Sequence, residues 1–211
     1  MKIRNKIVAL MISLIAMPTF AIAKDGAYVG VKAANINVNY EKIDGVDIGL
    51  ILPSEFNAWD FNVGYNLGNS FFELGYIKSN TENKNIASGS FTSTSGGATT
   101  YSLNSSLKFD GYRVGAGHNF PISKEFNIKP FINYYEIDMT VGGSLTINSG
   151  GTTVTLAGSV PANDSMIDAG LGLDYIINDK SKISLSYAQT LDSLGSTDKI
   201  ETWALAFNYQ F

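Results

Sequence analysis

The chain contains no cysteine and a single histidine, His118. The first absence excludes a disulfide framework, thiolate metal sites and a cysteine nucleophile. The second removes most multi-histidine zinc sites. Past the first two dozen residues there is no second apolar run long enough for a membrane helix. A formal net charge of −4 gives no basic surface for nucleic acid. The glycine-containing "GYRVGAG" lies within a strand-like segment with no helix after it, so it is no dinucleotide fingerprint. Nothing here calls for a metal or an organic cofactor. No domain linker or repeat of 20–50 residues is evident, and the length fits one domain.

What is present begins at the N-terminus. "MKIRNK" is basic, "IVALMISLIAM" is a short apolar run, Pro18 breaks it, and "AIA" at 21–23 is a small-residue cleavage signature. These features predict a secretory signal peptide over residues 1–23 and a folded domain over 24–211.

Strand patterns dominate after residue 24. Eight segments alternate large apolar residues with small or polar ones: "AYVGVKAANINV", "AWDFNVGYN", "FFELGYIK", "SLKFDGYRVGAGHNF", "FNIKPFINYYEI", "SMIDAGLGLDYI", "KISLSYAQTL" and "IETWALAFNYQF". In the second, Trp59, Phe61, Val63 and Tyr65 share one face, and Asp60, Asn62 and Gly64 the other. Connections alternate in length. "NLGNS", "PISKE" and "INDKS" are tight polar turns, while roughly 36–56, 79–101, 139–164 and 191–199 are longer. "LTINSGGTTVTL" predicts a hairpin with Ser149, Gly150 and Gly151 at its tip.

The bulky apolar face recurs on every strand, and the opposite face carries glycine, alanine, serine, asparagine and scattered charges. A water-soluble barrel has the reverse arrangement. An apolar exterior must meet lipid, and strands in lipid need the full backbone pairing that a closed barrel supplies. Aromatics near strand ends (Trp59, Tyr65, Phe120, Tyr175 and Phe211) suit the two interfacial girdles of such barrels. The expectation is an all-β, eight-stranded antiparallel up-and-down transmembrane barrel in a Gram-negative outer membrane. Its short turns and both termini would face the periplasm and its long loops the outside. The competing reading is a secreted sandwich or lipocalin-like barrel.

The segments "AYVGVKA", "VGYNLGNSFFELGYIKS", "YRVGAGHNFPISKEFNIKPF", "LGLDYIINDKSKISLSY" and the terminal "FNYQF" together resemble the eight-stranded OmpA/OmpX-type barrels. The resemblance implies a short, barrel-only member without a periplasmic peptidoglycan-binding domain. It implies that Trp203, Phe207, Tyr209 and Phe211 form the signal read by the barrel-assembly machinery. It also implies that Lys32 and Glu73 belong to a lumenal ion-pair network.

Strand parity turns Lys32, Arg113, Lys129 and Lys182 inward, with Asp60, Glu73, Asp168 and Asp174. Balance of this kind is required where charges are poorly hydrated. The expected pairs are Lys32 with Glu73 and Asp174, and Arg113 with Asp60 or Asp168. The set would form either a plug or a gate across a narrow water path. His118 shares its face with Val114 and Ala116 and is expected to meet lipid as an interfacial histidine. No serine occupies a same-face position beside it on its own strand, so no enzyme is expected. In the first long loop, Ile48, Leu50, Ile51 and Leu52 form an apolar cluster, either a contact surface or a cap over the mouth. The serine- and glycine-rich second and third loops could extend the strands outward and offer free edges to host or cell-surface proteins. The functions these features allow are envelope support with loop-mediated contacts, a narrow channel for water and small ions, or adhesion.

Overall fold

The computed structural model describes residues 25–92, 97–192 and 197–211. The expected signal peptide lies outside them. The strands are β1 (Gly26–Tyr40), β2 (Lys42–Ile43), β3 (Val46–Asp47), β4 (Glu55–Leu67), β5 (Ser70–Ser79), β6 (Glu82–Thr92), β7 (Ala98–His118), β8 (Phe120–Pro121), β9 (Phe126–Ser149), β10 (Thr152–Asn178), β11 (Ser181–Thr190) and β12 (Thr197–Gln210). Eight of them close a ring in the order β1–β4–β5–β7–β9–β10–β11–β12 and back to β1, all antiparallel. Closure matters physically, because a ring leaves no unpaired backbone edge in lipid. At the seam, the Phe211 N–H donates to the Ala27 carbonyl at 3.0 Å.

Alternation fixes which side chains meet lipid. Trp59, Phe61, Val63, Leu74, Val114, Leu171, Leu173, Leu185, Trp203, Leu205 and Phe207 all point outward and are exposed. Paired rings gather at the two levels of this band. Tyr76 sits 5.4 Å from Tyr112 and Tyr187 4.8 Å from Trp203 on the outer side, and Phe126 sits 5.2 Å from Tyr175 near the periplasmic turns. An apolar belt between aromatic girdles is the exterior a bilayer selects.

Two features exceed the ring. Strands β9 and β10 are 24 and 27 residues long, far more than a membrane crossing needs. Their hairpin turns at Gly150-Gly151, where both φ angles are positive (58° and 83°), the two-residue turn that glycine supplies without strain. The outer part of β7 pairs on one side with β9 and on the other with β6, a strand outside the ring. Together β6, β7, β9 and β10 build a four-stranded sheet that continues the barrel wall outward as an arm.

Candidate functional sites in the lumen and the arm

The periplasmic half of the lumen holds the charges, and Arg113 on β7 is its hub, only 1 % exposed. Its Nε donates to Asp60 Oδ2 at 2.8 Å, and its Nη1 donates to Glu73 Oε2 at 2.8 Å and to Asn133 Oδ1 at 2.9 Å. Lys32 Nζ reaches Asp60 Oδ2 at 3.4 Å. Tyr28 donates to the free oxygen of Glu73 at 2.8 Å. Asn133 and Tyr135 donate to the two oxygens of Asp168, at 2.7 and 3.1 Å. Glycine makes the space: a Cβ on Gly75 would stand 2.7 Å from Asp60 Oδ1 and 3.1 Å from Arg113 Nη2. Nearer the periplasm, Asp174 bridges Lys182 at 2.9 Å and Lys129 at 3.5 Å. Below this pair, a vestibule of about 540 Å³ opens among Asn66, Asn119, Lys182 and Asn208.

The pairing differs from the sequence expectation. Lys32 pairs with Asp60 and not with Glu73 or Asp174, and Arg113 takes both Asp60 and Glu73. Asp168 is held by neutral donors. Strand parity carries no register information, and the register decides: Lys32 lies opposite Asp60 on β4.

The outer half of the lumen is apolar and bulky, a departure from the small and polar interior the alternation suggested. Ile36, Val38, Phe56, Ile77, Leu107, Ile137, Met166 and Ile200 fill it as one buried cluster. Phe56 packs edge-on against Phe109 at 5.6 Å between ring centroids.

His118 also departs from expectation. It is 2 % exposed, with its ring 4.6 Å from Phe120 and its Nδ1 3.2 Å from Ser70 Oγ. The serine that counting along one strand failed to find lies directly opposite on β5. Among the described residues, no carboxylate hydrogen-bonds His118 to orient or charge it, so the pair lacks the third member that activates a serine.

The first long loop leans on the arm. Its short 3₁₀ turn (Ile48–Leu50) is capped by Asp47, which accepts from the Gly49 N–H at 2.9 Å. Lys84 donates to the Gly49 carbonyl and Ser105 to the Ile51 carbonyl. Tyr40 donates to the Pro53 carbonyl at 2.6 Å, and burial pushes its hydroxyl up to about 12, so it stays a donor at physiological pH. Within the apolar cluster, Ile48 and Leu52 are half-buried, while Leu50 and Ile51 are exposed.

Along the arm, the lumen-facing parity stays apolar: Leu103 and Tyr101 on β7, Leu145 and Ile147 on β9, Val160, Leu156 and Val154 on β10 lie in register. The opposite face is Thr100, Ser102, Asn104 and Ser106 against Asn148, Thr146, Ser144 and Gly142. The apolar face is open, with Leu156 66 % exposed.

The outward aromatics of the last strand (Trp203, Phe207 and Tyr209) and the terminal Phe211 stand on the lipid side.

Comparison with known proteins places this architecture. Residues 7–211 match the outer membrane protein beta-barrel domain family. A search of curated proteins returned no match. Among solved structures, neisserial surface protein A is similar at 11% identity, over 88% of this chain and 97% of that one, with a TM-score of 0.51. The attachment invasion locus protein Ail of Yersinia pestis is similar at 18% identity, over 90% of this chain and 100% of that one, with a TM-score of 0.43. The N-terminal barrel of Pseudomonas aeruginosa OprF is similar at 13% identity over 88% and 100%, with a TM-score of 0.43. The chain belongs to the outer membrane protein beta-barrel family and resides in the Gram-negative outer membrane.

Proposed function

We propose that this outer-membrane barrel is a surface-contact protein: a filled, non-conducting barrel that anchors the arm and supports the envelope. The observation that carries the reading is the arm itself. Three of its strands, β7, β9 and β10, expose apolar side chains to water on one face, which costs about 25 cal/mol per Å² left uncovered and is retained where a surface binds something. The braced first loop adds Leu50 and Ile51 beside it. Contacts with host or neighbouring-cell surfaces then depend on the arm and on that loop. The test is a binding screen of the folded protein against a variant trimmed of residues 86–101 and 144–157. Equal binding by both would overturn the reading.

The apolar outer lumen supports a plug over the narrow-channel reading, because water and ions have no polar path through Phe56, Leu107 and Ile137. Planar bilayers should record near-zero conductance. It should stay low in Lys32→Ala with Asp60→Ala, and rise only when Phe56→Ser and Leu107→Ser open the seal. Wild-type conductance with ion selectivity set by Lys32 would favour the channel.

The outward aromatic ladder ending at Phe211 is read here as the signal to the assembly machinery. Phe211→Ser should lower the amount of heat-modifiable, compact protein in membrane fractions, and an unchanged amount would contradict the role. No catalytic role is assigned to Ser70 or His118.

A further inference from the structure

The arm has two outer edges, and they differ. On β6, the membrane-near end carries Glu82 and Lys84, the latter held by the Gly49 carbonyl of the first loop, and the register slips between Asn85 and Ala87. Charges and bulges are the usual protection of an edge against pairing. On β10, no residue from Thr152 to Asn163 is charged, the register against β9 is unbroken, and every one of these residues is exposed. Pairing with β11 begins only at Asp168. Among the described residues, the outer side of this segment has no strand beside it.

The backbone direction of that edge follows from two hydrogen bonds. The Ile167 carbonyl accepts from Leu191, away from β9, and the Ile176 N–H donates to Glu125, on the β9 side. With an unbroken register, odd residues therefore turn their N–H and C=O to the open side. Those groups belong to Thr153, Thr155, Ala157 and Ser159. Pro161, which has no N–H, falls in the same set, where its ring breaks no bond to β9.

We propose that this edge pairs antiparallel with the same edge of a second copy held in a facing membrane. The proposal rests on the reading of the arm as a contact device and names its partner. The sequence of the edge is its own complement. In a register centred on Ala157, Thr155 faces Ser159 of the other copy, and each pair exchanges hydrogen bonds through backbone groups that already point outward. Val154 then faces Val160 on the apolar side, and small polar residues meet on the other. The Pro161 positions fall at the two ends, where a missing donor costs least. A net charge of −4 would repel a second copy if it were spread along the edge, but the edge is neutral. Geometry sets the orientation. A two-fold axis that joins the edges into one eight-stranded sheet reverses the barrel axes, so the copies belong to opposed membranes. Residues 152–167 give about 50 Å of strand at roughly 3.3 Å per residue, enough to stand clear of the shorter loops. Pairing also extends the apolar face over both arms, so that Val154, Leu156 and Val160 gain neighbours.

The experiment uses the full chain in phosphatidylcholine vesicles, as two populations labelled with donor and acceptor lipids. Wild-type vesicles should cluster, read as energy transfer between populations. Ala157→Pro removes an edge N–H without touching the β9 ladder, and should lower the apparent association about tenfold, the loss of two hydrogen bonds. Ala157→Lys, which keeps the N–H but places a charge on the edge, should do the same. Heat-modifiable mobility confirms folding of each variant. Because the chain has no other cysteine, Ala157→Cys should form an oxidised dimer when its vesicles are concentrated enough to cluster, and not when they are too dilute to meet. Clustering that is insensitive to both edge variants, or no clustering of the wild type, would overturn self-pairing. Binding to cell surfaces that needs the arm but survives Ala157→Pro would leave the contact reading standing without self-pairing. Loss of both clustering and arm-dependent binding would remove the two readings together.

Discussion

Strands β7, β9 and β10 each have a lower and an upper half, and the two halves reverse their chemistry without changing their alternation. Below, β9 turns Ile128 and Tyr134 outward and Lys129 and Asn133 inward. Above Glu136, it turns Thr140, Ser144 and Thr146 outward and Ile137, Val141 and Leu145 inward. On β7, outward Tyr112 and Val114 give way to Ser106, Asn104 and Ser102 beyond Asp110, while inward Arg113 gives way to Leu107 and Leu103. Strand β10 does the same around Ser165. No strand twists over or slips to achieve this. A change of medium on the outside, from lipid to water at one level, selects this reversal of side chains. The lesson is that parity gives the face and position along the strand gives the chemistry. A membrane barrel and an amphipathic water-exposed sheet can share the same three strands.

The largest expected effect breaks the lower half. Arg113→Ala leaves Asp60 and Glu73 buried without the guanidinium that bridges them, and should cost about 3–5 kcal/mol in urea unfolding. A loss under 1 kcal/mol, on the order of an exposed pair, would mean that water fills this layer. Next comes the lipid face. Leu171→Arg, between the Tyr175 girdle and the reversal at Ser165, should destabilise by about 2–4 kcal/mol in bilayers, and stability equal to wild type would place that face in water. Gly75→Ala crowds Asp60 and Arg113 and should cost about 1–3 kcal/mol, measured by the same unfolding curve. The smallest effect sharpens the contrast. Ser159→Arg, on the outward side of the same strand as Leu171 but above the reversal, should stay within about 0.5 kcal/mol of wild type.

Much of the lower half was legible from alternation alone. Period-two patterning marked eight strands, because lipid imposes the same rule on every strand; polar and glycine turn residues marked the three tight turns and, in the arm, the Gly150-Gly151 tip. The inward set of charges was legible for the same reason. Its partners were not: whether Lys32 meets Asp60 or Glu73 depends on register between strands, and alternation within a strand is blind to it. Ser70 beside His118 escaped notice on the same ground. The apolar upper lumen was hidden because Ile36, Val38 and Phe56 share parity with Lys32 and Asp60, and a single rule was applied along the whole strand. Strand β6 was hidden by composition, since "ENKNIASGSFT" has weak strand propensity and takes its shape from pairing with β7.

The reversal level is open to one direct measurement. The chain has no native cysteine, so single cysteines can be placed at outward positions along β10: Leu173, Ala169, Ser165, Ser159 and Thr155. The purified protein in bilayers is exposed to a charged, membrane-impermeant maleimide. No modification is expected at 173 and 169, rapid modification at 159 and 155, and the change at 165. Equal reactivity along the whole strand, or protection extending to 159, would contradict the reversal.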